Sequence, residues 1–185
     1  MQDLPIRIIS RLDIKGENVI KGIQLEGLRV IGNPNNIALN YYKEGIDEII
    51  FMDVVASLYG RNNLFNVINN AAKNIFVPIT VGGGIRNIED INLALRNGAD
   101  KISINTAAIK NPSILLEASK VFGSQCIVLS VEAKKRESNS WEALVDNGRE
   151  TTNLSVLDWI KEAEKLGVGE ILLTSVDREG TQSGF

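Results

Sequence analysis

The sequence predicts a parallel α/β fold, either a barrel or a doubly wound sheet, on three observations. Short runs rich in Ile and Val alternate with segments of helical period along the whole chain. Those runs are mostly apolar with little alternation, as strands covered on both faces are. The helical segments between them have recognisable ends, and strand–helix units repeated at this rhythm make parallel sheets.

Taken in order, the strand candidates are residues 6–12, 48–52, 77–81, 101–104, 126–131 and 170–176. Pro34 suits the first turn of a helix that Gly45 stops. Asn87 can cap residues 88–97, with Glu89 and Asp90 in the first turn and Gly98 beyond the end. Asn111-Pro112-Ser113 opens a further helix that stops near Gly123, and Ser155 caps one that runs to Leu166 before Gly167. Residues 16–32 and 134–153 break the rhythm and read as long loops. Each follows a strand ending in an acid, and long loops within compact domains are usually functional or disordered.

These two places belong to a weak internal repeat. Leu12-Asp13-Ile14-Lys15 is echoed by Val131-Glu132-Ala133-Lys134, and Gly45-Ile46-Asp47-Glu48 by Gly167-Val168-Gly169-Glu170. Two half-barrels of four βα units would give this pattern, as would unrelated units sharing common residues.

Composition narrows the chemistry. At 185 residues, with 44% hydrophobic residues and a formal net charge of −3, one globular domain is expected. A pI near 5.2 argues against a nucleic-acid surface. There is no histidine, which removes Ser-His-Asp and Cys-His chemistry and any His-containing metal site from these residues. Cys126, the single cysteine, lies in an apolar run and reads as a buried, inert thiol. Residues 1–5 show neither the basic region nor the apolar stretch of a leader, so neither membrane nor export is expected and the compartment is expected to be cytoplasmic.

Acid–base work therefore falls to other groups. Asp13, Asp53, Glu132 and Asp177 end four strands, and in a (βα)₈ barrel the C-terminal rim of the strands is where active sites form. Strands one and five face each other across that rim, so Asp13 and Glu132 become opposed acid–base candidates. Singly, each acid could equally cap its loop or pair with nearby Lys15 or Lys134. Gly82-Gly83-Gly84, between a strand and a helix, lets backbone amides approach a phosphate. Asn105-Thr106 after the next strand adds an amide and a hydroxyl. Asp177, Gly180 and Thr181 have the same small polar character and could hold a second phosphate.

Together these residues resemble the cyclase subunit of imidazole glycerol phosphate synthase, a histidine-biosynthesis barrel, along essentially the whole chain. The most specific strings are Asp13-Ile14-Lys15 with Lys21-Gly22, Gly82–Gly84, Ser103-Ile104-Asn105-Thr106-Ala107-Ala108, and Gly169-Glu170-Ile171-Leu172-Leu173-Thr174-Ser175. The resemblance implies a (βα)₈ TIM-type barrel without cofactor or metal. That barrel would use ammonia from a glutaminase subunit, as a heterodimer, to convert a bisphosphorylated ribulosyl formimino-carboxamide nucleotide. The products would be imidazole glycerol phosphate and aminoimidazole carboxamide ribotide.

It further implies that Asp13 is the strand-one catalytic acid and that Lys21 lies beside the substrate. Gly84, Asn105 and Thr106 would take one phosphate, and Gly180 would begin the other site. Arg7, Glu48, Lys101 and Glu170 would form a charged ring at the barrel bottom that admits ammonia.

Two departures stand out. Glu132 occupies the place of a second catalytic aspartate, and Ser10-Arg11 replaces an apolar or small pair. These suggest a divergent paralogue. Such a barrel could instead supply ammonia to a sugar-modifying amidotransferase in surface-polysaccharide synthesis, or serve as a non-catalytic glutaminase-activating scaffold. Six strands are visible where a closed barrel needs eight. The sequence is therefore expected to represent about six βα units of one domain, residues 1–185, with its second half truncated and an unpaired edge on strands one and six.

Overall fold

The computed structural model describes residues 6–56 and 64–184. The residues read for leader character, 1–5, lie outside that range. Strand β1 (Ile9–Lys15) sets the pattern for the sheet. Its side chains alternate, so Leu12 and Ile14 join the main core while Arg11 and Asp13 turn to the opposite face.

The same alternation runs through β4 (Glu48–Asp53), β5 (Ile79–Gly82), β6 (Lys101–Ile104) and β7 (Ile127–Glu137). Ile49, Phe51, Ile79, Val81, Ile102, Ile104, Ile127, Leu129 and Val131 pack outward. They meet Ala38, Ile68, Ile91, Ala94, Leu115, Ala118 and Trp159 of the surrounding helices.

The inner face holds a smaller apolar cluster of Ile20, Ile50, Met52 and Val54, with Leu172 against it. The six parallel strands lie in the order β1, β4, β5, β6, β7 and β10 (Glu170–Ser175), each paired in parallel with the next. The central strands β4 and β5 are buried along their whole length, as helix-covered parallel strands are, whereas β1 and β10 keep polar and partly exposed positions. Among the described residues β1 and β10 are not paired with one another. Side chains bridge the gap instead, Arg7 just before β1 with Glu170, and Arg11 of β1 with Thr174.

The helices begin and end where local chemistry dictates. Asn33 caps α1 (Pro34–Lys43) by accepting from the amides of Asn35 and Asn36, ahead of the proline. Helix α2 spans Leu64–Ala72. Asn87 caps α3 (Ile88–Arg96) through the Asp90 amide, and Ser155 caps α6 (Val156–Lys165) through that of Asp158. Between α3 and α6 lie a short α4 (Thr106–Lys110) and α5 (Ser113–Phe122). Cys126 ends a 3₁₀ turn at the foot of β7 and is only partly buried, so the expected strand begins one residue later.

The two expected long loops are β-hairpins. The first is β2 (Asn18–Ile23) with β3 (Glu26–Gly32), and the second is β8 (Ser140–Val145) with β9 (Glu150–Ser155). Strand β1 is displaced from the expected 6–12 to Ile9–Lys15 because it continues into the first hairpin, pairing Ile14 with Val19. Strand β7 likewise runs on to pair with β8.

The first hairpin was hidden because its turn is held by a distant residue. Gln24 and Leu25 form a two-residue turn with φ of 53° and 64°, a conformation usually left to Asn-Gly. Tertiary contacts hold it there: the Gln24 amide donates to the Glu179 carbonyl, and that of Leu25 to the Glu179 carboxylate at 3.0 Å. In the second hairpin, buried Glu142 accepts the amides of Thr152 and Asn153 at a break in register, and Arg136 pairs with it.

Candidate active site

The inward side chains stack in layers along the barrel interior. At the bottom, Glu48 accepts from Arg7 at 2.9 Å and from Lys101 at 2.9 Å, while Glu170 accepts from Arg7 at 3.0 Å and from Lys101 at 2.9 Å. The ring of two acids and two bases is thus closed through four links. Thr80 donates to the other Glu48 oxygen at 2.7 Å. Burial pushes the Lys101 ammonium down, but the charges of Glu48 and Glu170 more than reverse it, leaving it raised. Burial likewise lifts Glu170, and Lys101 and Arg7 outweigh it, so that carboxyl is lowered.

At the top, Asp13 and Glu132 sit on β1 and β7. Thr174 of β10 is the strand partner of Glu132. The two acids have different surroundings. Asp13 accepts from Arg11 Nε at 2.7 Å, with both side chains partly open to solvent. Glu132 is 6% exposed and has no ion pair among the described residues. Its Oε2 accepts from Asn105 Nδ2 at 3.1 Å and from the Gly148 amide at 2.8 Å. Burial raises its pKa from 4.5 to about 7; Arg11 and the Gly148 amide oppose the rise, while Asp13 and Asp146 add to it.

A cavity of about 350 Å³ opens beside Glu132. Gly83, Gly84, Asn105 and Thr106 line it, with Arg86 and Lys110 bringing positive charge. Gly83 has φ +88°, and a Cβ there would lie 2.0 Å from the Asp53 carbonyl oxygen, so only glycine fits. Gly82 serves packing: a Cβ would strike Met52 and Ser103. Asp53 closes the pocket wall; burial raises its carboxyl, and the amides of Val55 and Ala56 oppose that.

Asn105 does more than expected, because its side-chain amide holds Glu132 and the Leu144 carbonyl. The Thr106 hydroxyl accepts from the Asp146 amide at 3.1 Å. Asp146 itself, 8% exposed, is a further acid at this wall. Sequence reasoning missed it because it belongs to a turn taken as loop, although Asp146-Asn147-Gly148 is a recognisable hairpin signal.

A second cavity, about 290 Å³, lies on the β1–β10 side and is lined by Arg11, Asp13, Lys21, Arg178 and Gly180. Lys21 pairs with Glu179, whose carboxyl is lifted by burial and lowered further by Lys21 and the Leu25 amide. Gly180 has φ +71°, and a Cβ would lie 2.6 Å from the Gly22 carbonyl oxygen.

Asp177 and Thr181 stand apart from both cavities. The Asp177 carboxylate accepts from the Lys135 amide at 2.8 Å, and its carbonyl from Gln24 Nε2 at 3.0 Å. The Thr181 hydroxyl donates to the Arg178 carbonyl at 2.7 Å. Asp177 thereby ties the turn of the first hairpin and the far end of β7 to the end of β10. Leu25 at the tip of the first hairpin packs on Leu144 of the second and on Val176.

No group of three or more Asp, Glu, Cys or His among the described residues is placed to hold a metal ion. No described helix is long and apolar enough to cross a membrane.

Residues 7–185 match the family described as histidine biosynthesis protein. The chain is 59% identical over 180 residues to the imidazole glycerol phosphate synthase subunit HisF of Legionella pneumophila, covering 97% of this chain and 85% of that one. It is 48% identical to the HisF subunit of Dictyoglomus thermophilum and 49% to that of Helicobacter hepaticus, each over 179 residues, 97% of this chain and 71% of the relative. An open arc of parallel strands, opposed acids at its rim and identity of this extent agree, and the chain belongs to the histidine-biosynthesis barrel family alongside the HisF cyclase subunits of imidazole glycerol phosphate synthase.

Proposed function

We propose that the chain uses ammonia to cyclise a bisphosphorylated ribulosyl formimino-carboxamide nucleotide, releasing imidazole glycerol phosphate and aminoimidazole carboxamide ribotide. The observation that carries this reading is the pair of acids at the barrel mouth, one of them buried with a pKa of about 7. A nitrogen that forms a new bond to carbon must lose a proton, and the departing amine must gain one. A carboxyl poised near neutrality can do both in turn, and Glu132 is that group. Asp13, partly open and held by Arg11, is the opposed partner.

The substrate's two phosphates would lie in the two cavities. One would rest over Gly83, Gly84 and the start of α4, near Arg86 and Lys110, and the other near Lys21 and Gly180. The ring of Arg7, Glu48, Lys101 and Glu170 at the opposite end is the proposed ammonia entrance, with a glutaminase subunit seated below it in a cytoplasmic heterodimer. Two corners, each an acid-bearing strand followed by a hairpin, support reading the domain as two half-barrels.

The test is turnover of the nucleotide by the purified chain with an ammonium salt, followed by its change in absorbance. Ammonium-dependent product is expected. A second reading has one observation behind it: Arg11 fills the mouth with a guanidinium. If the chain serves a sugar-modifying amidotransferase instead, the nucleotide is left untouched and does not raise the melting temperature.

A further inference from the structure

We propose that Arg11 is a positioning residue for this reaction, holding the Asp13 carboxylate in place at the barrel mouth and standing as a fixed positive charge between the two acids. The proposal rests on the cyclase reading. Arg11 is two residues before Asp13 on β1, so alternation turns both to the same inner face. Its Nε donates to Asp13 Oδ1 at 2.7 Å, and its Nη1 donates to Thr174 Oγ1 at 2.9 Å. Thr174 lies on β10 beside Glu132. One planar guanidinium therefore spans from β1 to β10 and fixes the direction of the Asp13 carboxylate. A lysine, with a point charge on a flexible stem, could not hold both bonds in a fixed plane.

The charged groups that face this place come from several elements. They are Asp13 on β1, Glu132 on β7, Asp146 in the β8–β9 turn, and Glu179 with Lys21 and Arg178 on the β10 side. Glu132 and Glu179 both feel the Arg11 charge, which favours their ionised forms. Without Arg11, the Asp13 carboxylate would lose its orientation, and Glu132 would face Asp13 and Asp146 without the Arg11 charge. The Arg11 charge offsets the carboxylates that Glu132 faces here, Asp13 and Asp146.

The full chain is compared with Arg11→Met, Arg11→Lys and Thr174→Val in two measurements. In the first, Arg11→Met is expected to lower kcat by about 10²-fold, the cost of misplacing a reacting group by about 1 Å, with KM for the nucleotide moved less. Arg11→Lys and Thr174→Val should fall between. In the second, the Glu132 carboxyl is followed by carbon-13 NMR across pH, assigned by its loss in Glu132→Gln. Its titration should move to higher pH in Arg11→Met and stay close to the parent in Arg11→Lys.

An Arg11→Met chain that turns over normally overturns the positioning role. An unmoved Glu132 titration overturns the charge between the acids. Should Arg11→Met fail to fold, Thr174→Val decides: an unchanged kcat counts against the proposal. If even the parent chain leaves the nucleotide unreacted, the cyclase reading falls, while the titration still decides whether Arg11 stands between the acids.

Discussion

At the β1–β3 corner a strand carries Asp13 to the barrel mouth and then folds back as a hairpin; at the β7–β9 corner another strand does the same with Glu132. The surroundings then diverge. The first acid has a guanidinium against it and water within reach. The second is 6% exposed, held by an amide side chain and a backbone N–H, with other carboxylates nearby. Two corners of similar build thus give their acids opposite electrostatic surroundings, the arrangement that the proposed division of acid–base work between two carboxylates requires.

The largest break in this comparison comes from Asp13→Asn. Ammonia-dependent turnover should drop by on the order of 10³-fold. Inorganic phosphate should still bind at Gly83 and Gly84, read by calorimetry. Near-normal turnover would remove Asp13 from the reaction.

Glu132→Gln should cost about 10²-fold in kcat and erase the ionisation near neutrality from the pH–rate profile. It should also change stability with a definite sign. Because the Glu132 pKa rises on folding from 4.5 to about 7, its contribution to stability is full below pH 4.5 and is lost as pH rises through 7. The Gln variant should therefore match the parent in urea unfolding at pH 4.5 and exceed it at pH 8, by up to about 3 kcal/mol. Equal stability at both pH values would mean that Glu132 is not buried at this cost.

Glu132→Asp sharpens the contrast. A shorter side chain withdraws from the Gly148 and Asn105 donors, so a loss of about tenfold in kcat is expected. An unchanged kcat would show that carboxylate reach is unimportant.

The smallest effect belongs to Lys21→Met on β2 of the first corner. Its ion pair with Glu179 is half open to solvent on the lysine side, so melting should register less than about 1 kcal/mol. KM for the nucleotide should rise several-fold if Lys21 meets a phosphate. An unaltered KM would place that phosphate elsewhere.

The parallel core was legible because burial on both faces writes an apolar run into each strand, and caps such as Asn87 and Ser155 act over three residues. Asp13 and Glu132 could be found for the same reason, since strand ends locate the C-terminal rim; the four ring charges were legible only through the resemblance to a known family. The first hairpin could not be found this way, although Asp146-Asn147-Gly148 is a local signal for the second. Gln24-Leu25 adopts its turn only because Glu179, far along the chain, accepts its amides. Asp177 and Thr181 looked like ligand groups by composition, yet in the fold they bind neighbouring backbone.

Local pattern was enough for the alternation of strand and helix, for the rim on which the strand-end acids stand, and for the lack of imidazole among these residues. Those follow from periodicity and composition, which are local. The tertiary structure alone decided that Arg11 meets Asp13 and Thr174, that Asn105 turns toward Glu132, and that Glu132 is buried while Asp13 is not. Desolvation and charge–charge coupling depend on what packs around a group. Such neighbours come from strands and turns widely separated in the chain, so no local pattern records them.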